Sequence, residues 1–235
     1  MNIEQPAQGI LVVDKPAGIT SFTLVACCRR VTGVKKIGHA GTLDPFATGV
    51  MVLMIGRDFT RLCDQYTAMD KVYETTLHLG IETDSYDVDG NITRQSDHVP
   101  SLSDINDALL TFQGVQQQIP PMFSAKKVKG QKLYHLARQG VTIERTPVQV
   151  NMTVELLEYA YPHLRLRIEC SKGTYIRSLA YDLGQKLQCG AHLIQLRRIR
   201  SGAFNLDNSL DGAKLKSGEV TLEELKSHLL PAMTT

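Results

Sequence analysis

Apolar positions recur in short blocks along this chain, and their spacing switches between the two periods that separate strands from helices. Residues 10–13 are a continuous apolar run of strand length, followed by a turn at 14–18. Across 21–31, Phe22, Val25, Cys28 and Val31 fall three apart, which predicts a helix with these four inward and Gly33 as its stop. The run 50–55 reads as a buried strand. Residues 72–79 alternate, predicting a half-buried strand with Tyr73, Thr75, Leu77 and Leu79 on one face. The Asp-dense stretch 82–100 reads as a loop or hairpin, and Ser103 with Asp104 predicts a helix running to near Gly114. Residues 116–119 extend into Pro120-Pro121, and a short helix is predicted over 132–139. Strands follow over 148–158 and 164–170, the latter with Leu164, Leu166 and Ile168 inward against Arg165, Arg167 and Glu169 outward. A helix over 175–187, a strand over 192–199 and a last helix from the Thr221/Glu224 capping pattern to about residue 230 complete the chain. Strands without regular helical alternation argue for α+β with a largely antiparallel sheet.

Composition narrows the class without changing this outline. The chain has 235 residues, 43% hydrophobic and 21% charged, as in ordinary soluble proteins. No apolar run approaches membrane-spanning length and no secretory leader is visible, so a cytoplasmic protein with no membrane association is expected. Five cysteines at 27, 28, 63, 170 and 189 lack Cys-x-x-Cys spacing, which indicates neither a disulfide framework nor a zinc ribbon.

Charge changes the picture more. The net charge of +2 hides a block at 61–125 with 3 basic and 10 acidic side chains and a block at 126–200 with 14 basic and 5 acidic ones. Such separation suits a protein with one face for a polyanion, although two blocks pairing across a fold would give the same count.

The densest chemistry lies in 38–49, Gly-His-Ala-Gly-Thr-Leu-Asp-Pro-Phe-Ala-Thr-Gly. A loop this rich in small residues admits a ligand or another backbone, and Asp44 is its only acid. Asp before Pro is also how many helices begin, with Gly49 then ending a short turn and 50–55 continuing as strand. Both readings stand. The segment 33–38 begins like a phosphate loop, but His39-Ala40 replaces the required Lys-Ser/Thr, which excludes that reading.

This loop resembles, nearly residue for residue, the signature of the TruB type of pseudouridine synthases, which isomerise a uridine in the T loop of transfer RNA. Gly38, His39, Gly41, Leu43, Asp44, Pro45, Ala47 and Gly49 fit the family pattern. The resemblance continues through Asp14-Lys15-Pro16, Lys71-Val72-Tyr73, Leu79-Gly80 with Thr83-Asp84, Pro120-Pro121 with Ser124-Ala125, the segment 171–177, and Leu196-Arg197-Arg198, covering about residues 9–205. Phe123 stands where a Tyr is common, and Lys127 follows Lys126 where an apolar residue is usual before the family lysine.

The resemblance implies a pseudouridine synthase core, a large mixed, mainly antiparallel sheet flanked by helices, with a thumb-like basic insertion at about 124–150. It implies a catalytic domain over 1–212 and a short helical tail over 213–235 in place of a complete C-terminal RNA-binding domain. The reaction breaks the bond between ribose C1′ and uracil N1 and rejoins C1′ to C5, so one carboxylate suffices and no metal or organic cofactor is expected. Asp44 is then the catalytic carboxylate, as nucleophile or as base and electrostatic partner. A carboxylate held from water favours a fixed cation beside it, and Arg177, in the first helical turn where the dipole disfavours positive charge, wants an anion; the resemblance pairs the two. A base turned out of its stack is held by aromatic packing. The resemblance assigns Tyr73 to stack on it and to the catalytic set, Tyr175 to hold it, Leu196 to the pocket edge and His39 to the space the base leaves.

Lys15, Lys126, Lys127, Lys129, Lys132, Arg197 and Arg198 are expected as phosphate contacts, against the alternative of a solvated basic face. Singly, the tyrosines also suit ordinary core positions and Arg177 a surface one. The expected partner is the transfer RNA T stem-loop, bound by a monomer with no obligatory protein partner. Two other functions fit the same fold: an RNA-binding or folding chaperone, and guide-dependent modification of ribosomal RNA.

Overall fold

The strands that organise the molecule are the ones with no polar face. In the computed structural model, which describes residues 7–124, 127–128, 130–141 and 143–232, the chain begins β1 (Gly9–Lys15), α1 (Ser21–Thr32), β2 (Ile37–Ala40), β3 (Thr48–Ile55), α2 (Arg57–Thr60), α3 (Cys63–Ala68) and β4 (Lys71–Leu79). It continues through β5 (Ile81–Thr83), β6 (Ile92–Gln95), α4 (Leu102–Leu110), β7 (Gly114–Gln118), β8 (Lys127–Val128), β9 (Gln131–Lys132), α5 (Leu133–Arg138), β10 (Val148–Ala160) and β11 (His163–Cys170). It closes with α6 (Ile176–Lys186), β12 (Ala191–Ser201), β13 (Leu210–Asp211), α7 (Gly212–Ser217), α8 (Leu222–Ser227) and β14 (Leu229–Leu230). The class is α+β, with a large mixed, mainly antiparallel sheet flanked by helices, as expected. Among the described residues no helix is long and apolar enough to cross a membrane.

The chain divides into two compact units, one of Met1–Tyr73 with Arg197–Thr235 and one of Glu74–Leu196. In the first, β1 runs antiparallel to β3 in an unbroken register from Gly9↔Ile55 to Lys15↔Gly49. β2 adds antiparallel to β3, while β12 pairs with it in parallel at Arg197↔Thr48 and Arg198↔Gly49. β13 pairs β1 in parallel and β14 pairs it antiparallel. Both faces of β1 and β3 are covered, which explains their continuous apolar runs. One core cluster gathers Ile10, Val12, Ala40, Val50, Val52, Met54, Tyr66 and Phe204.

In the second unit, β11, β10 and β7 form an antiparallel run joined by β4. Leu164, Leu166 and Ile168 are buried and alternate with exposed neighbours, as their spacing predicts. α4 packs on β10 through Ile105, Ala108 and Leu109. Gln113 clamps Val154, donating to its carbonyl at 2.7 Å and accepting from its amide at 3.0 Å.

Several expectations are corrected. Phe22 points to solvent, 59% exposed, because the buried stripe of α1 is Ser21, Leu24, Val25, Cys27 and Cys28. Thr20 caps this helix and Gly33, at φ 69°, ends it. Asp44-Pro45 opens no helix; Ala47 N–H returns to the Asp44 carbonyl at 3.1 Å in an isolated turn. β4 is buried on both faces, with only Glu74 and His78 half-exposed. α4 is capped by Ser101 in a reciprocal pair with Asp104, and it ends before Gly114 opens β7. The last helix stops at Ser227 because Leu229 and Leu230 leave to pair with β1. Four of the five cysteines are buried and none forms a disulfide; burial pushes the Cys28 thiol up to about 12, so it packs rather than reacts.

Gly49, at φ 102°, lies where β3 pairs with β12: a Cβ there would lie 2.2 Å from the Arg198 carbonyl oxygen and 2.8 Å from its nitrogen. Gly49→Ala is expected to destabilise by more than about 3 kcal/mol in urea unfolding. Gly38→Ala, whose methyl would meet only side-chain atoms at 3.6 Å or beyond, is expected to change stability by less than about 1 kcal/mol.

Candidate active site

Residues 41–47 join β2 to β3 without regular structure, so their backbone groups need other partners. Buried side chains supply them. The Ser21 hydroxyl, at the start of α1, accepts from the Leu43 amide and donates to the Leu43 carbonyl, both at 2.9 Å. Gly18 N–H donates to the Pro45 carbonyl at 2.9 Å. Lys15, with no exposed surface, donates from Nζ to the carbonyls of Pro16, Pro45 and Ala47 at 2.9, 3.1 and 2.6 Å. Arg198, 1% exposed, donates from Nη2 to the Gly41 carbonyl at 3.2 Å and from Nε to Val50 at 2.7 Å. The loop is pinned on both sides of Asp44, which is half-buried.

Two expected phosphate contacts are therefore corrected. Lys15 and Arg198 cannot reach RNA, because their charged ends are sealed among backbone carbonyls of the Asp44 loop and β3. Burial pushes the Lys15 ammonium down to about 8, Asp44 opposes that shift, and Arg198 adds to it. Arg197 is half-exposed, but Asp14 takes it bidentately at 2.6 and 3.1 Å, with Thr48 Oγ1 at 3.3 Å. Lys126 and Lys129 lie outside the described residues. Lys127 and Lys132 are backbone register partners of the β8–β9 pair.

His39 sits on β2 rather than in the loop, half-buried, with no hydrogen-bond partner for its buried Nδ1 among the described residues. Burial, with Arg198 as a lesser cause, lowers its pKa and favours the neutral imidazole at pH 7. Tyr73 is nearly buried in β4.

The second unit holds Arg177, Tyr175 and Leu196. Tyr175 is the N-cap of α6 but supplies no side-chain cap. Gln118 substitutes, accepting from the Tyr175 amide at 2.7 Å and donating to its carbonyl at 3.0 Å. Leu196 is 6% exposed. Arg177 is also buried, donating to the carbonyls of Ser85 at 3.1 Å and Phe123 at 2.6 Å, with Nη1 at 3.3 Å from Asp87 Oδ2. Tyr86, at φ 65°, stacks on Tyr181 of α6 with ring centroids 4.2 Å apart, beside the ion pair.

Sequence reasoning missed Asp87, Ser21 and Gln118. An arginine near a helix start signalled that an acid was needed, but the Asp-rich segment offers Asp84, Asp87 and Asp89 alike. Among the described residues no group of three or more His, Cys, Asp or Glu is arranged to hold a metal ion.

Comparisons with known proteins bear on the family and the fold. Residues 29–176 match the family model described as TruB family pseudouridylate synthase (N terminal domain), and residues 177–234 match that of the tRNA pseudouridylate synthase B C-terminal domain. A protein named tRNA pseudouridine synthase B from Protochlamydia amoebophila is 57% identical over 223 residues, covering 95% of this chain and 84% of that relative. One of the same name from Dehalococcoides mccartyi is 50% identical over 228 residues, covering 96% and 75%. Among solved structures, one described as a Cbf5-Nop10-Gar1 complex superposes with a TM-score of 0.73 at 26% identity over 96% of this chain. The chain spans 60% of that solved chain.

Lys15→Met removes the anchor of Pro45 and Ala47 and is expected to lower turnover at least tenfold at neutral pH. The folded protein releases this proton near pH 8 and the unfolded chain near 10.5, so between those values unfolding takes up a proton and stability rises with pH. Lys15→Met lacks that rise, and urea unfolding across the window measures the difference. Asp87→Ala removes a carboxylate from beside the buried Arg177 guanidinium and is expected to destabilise by about 3–5 kcal/mol; an unchanged unfolding midpoint would show that its other partners suffice.

Proposed function

The chain belongs to the TruB family of pseudouridylate synthases, and from that membership we propose that it converts uridine to pseudouridine in the T loop of transfer RNA, with Asp44 as the essential carboxylate. The observation that carries the residue assignment is the way Lys15, Arg198, Ser21 and Gly18 hold every turn of an otherwise irregular loop around one half-buried acid. A merely structural Asp-Pro turn on a surface does not need two buried cations beneath it.

The chemistry asks little else of the protein. The C1′–N1 bond breaks, the uracil turns, C1′ joins C5, the C5 proton is lost and N1 gains one, so the product is an isomer of the substrate. Asp44 assists bond cleavage, and we assign Arg177 as the cation that keeps it charged. Tyr73 and Tyr175 hold the extruded base, Leu196 borders it, and the neutral ring of His39 takes the space it vacates. Residues at about 124–150 contact RNA backbone. The curated relatives at 57% and 50% identity favour transfer RNA over guided modification of ribosomal RNA, and an intact acid loop favours an enzyme over a chaperone.

The test is whether the purified chain alone forms pseudouridine in an unmodified T stem-loop transcript, followed by release of a C5 tritium label. Asp44→Ala is expected to abolish formation while RNA affinity stays within about tenfold, because phosphate contacts dominate binding. Turnover by that variant at the wild-type rate would remove Asp44 from the chemistry.

A further inference from the structure

One uncompensated positive surface of the described residues lies outside the basic block that the sequence points to. In 126–200, Arg165, Arg167 and Arg177 are each matched by carboxylates, as is Arg197 by Asp14. The stretches 29–36 and 213–218 together carry Arg29, Arg30, Lys35, Lys36, Lys214 and Lys216 and no acid. Among the described residues none of these six forms an ion pair. The first unit brings them together. α1 packs on α7, Arg30 donates to the Lys216 carbonyl at 3.4 Å, and Arg29 donates to the Ile37 carbonyl beside Lys35 and Lys36 at 3.5 Å.

Complementing helix dipoles is too small a task for this set. The C-terminal ends of two helices amount to about one negative charge at most, and α7 is short. The solvent stripe of α1 also carries the unexpectedly exposed Phe22, whose ring lies under the Arg29 guanidinium at 5.5 Å and holds it along the helix surface.

The position relative to Asp44 follows from α1 itself. Its first residue, Ser21, grips Leu43 beside Asp44, and Arg29 and Arg30 lie eight and nine residues later. At 1.5 Å per residue that is about 13 Å. A nucleic-acid strand carries one phosphate per about 3.4 Å of helix axis, so this surface is several nucleotides away from a base at Asp44. We propose that the exposed stripe of α1, the following 33–36 turn and the end of α7 form a second RNA-contact surface, one that binds the phosphodiester backbone of the substrate away from the target nucleotide. The inference rests on the reading of this chain as an RNA-modifying enzyme, and it adds a surface that the motif residues do not include.

The test combines Lys35→Ala, Lys36→Ala, Lys214→Ala and Lys216→Ala in the full chain, with an unmodified transfer RNA transcript as the probe. At about 0.15 M salt the dissociation constant is expected to rise at least tenfold, and the slope of log affinity against log salt to become shallower by about 2 to 3. The single-turnover rate at saturating protein is expected to stay within about twofold, and Arg at the four positions is expected to restore affinity. An unchanged dissociation constant and slope overturns the surface, as does a loss of affinity that the Arg variant reproduces. A wild-type chain that binds the transcript but forms no pseudouridine overturns the proposed activity instead, while the binding comparison still decides the surface.

Discussion

Two buried cations donating to backbone carbonyls are the constraint on which the first unit depends. The segment from Gly41 to Ala47 carries Asp44 but belongs to no helix or strand, so its carbonyls are left for Lys15 and Arg198 to satisfy. Lys15 ends β1 and Arg198 lies on β12, and both strands pair with β3 in the sheet. The loop is therefore held by the same strand register that makes the core. Gly49 completes the arrangement because only a residue without Cβ lets β3 approach the Arg198 backbone closely enough.

The strands at 10–13, 50–55, 148–158 and 164–170 were legible because burial on one face or two leaves a direct mark on the pattern of apolar residues. The Asp44 loop was legible because its residue types match a long and specific signature. What the pattern could not show was which polar residues go inside. Ser21 is buried because its hydroxyl serves both backbone groups of Leu43, and that displaces Phe22 to the solvent side of α1. Lys15 and Arg198 look like RNA contacts in a charge count, yet each donates to two carbonyls about thirty or more positions away. The two-residue strands β13 and β14 exist only because β1 offers them partners.

The same lesson separates the charges that act at a distance from those that do not. A block count treats Arg165, Arg167, Arg177, Arg197 and Arg198 as one basic face, but in the fold four of them meet carboxylates and the fifth is sealed. Exposed pairs such as Arg165–Glu158 add little stability, but they do cancel the long-range field. The cations at the ends of α1 and α7 keep theirs.

Within the Asp44 loop the choice of acceptor matters as much as the choice of donor. Arg197 and Lys15 lie on neighbouring parts of the same unit, yet Arg197 is matched by the Asp14 carboxylate while the hydrogen bonds of Lys15 all go to carbonyls. A carboxylate partner would cancel the ammonium charge; carbonyl dipoles stabilise it without cancelling it, so its field still reaches Asp44. That arrangement leaves Lys15 imperfectly compensated, which is why burial drives it down to about 8. A cation this close to losing its proton is a poor choice for stability alone. It suits a loop that has no secondary structure of its own, whose carbonyls must find their donors among side chains.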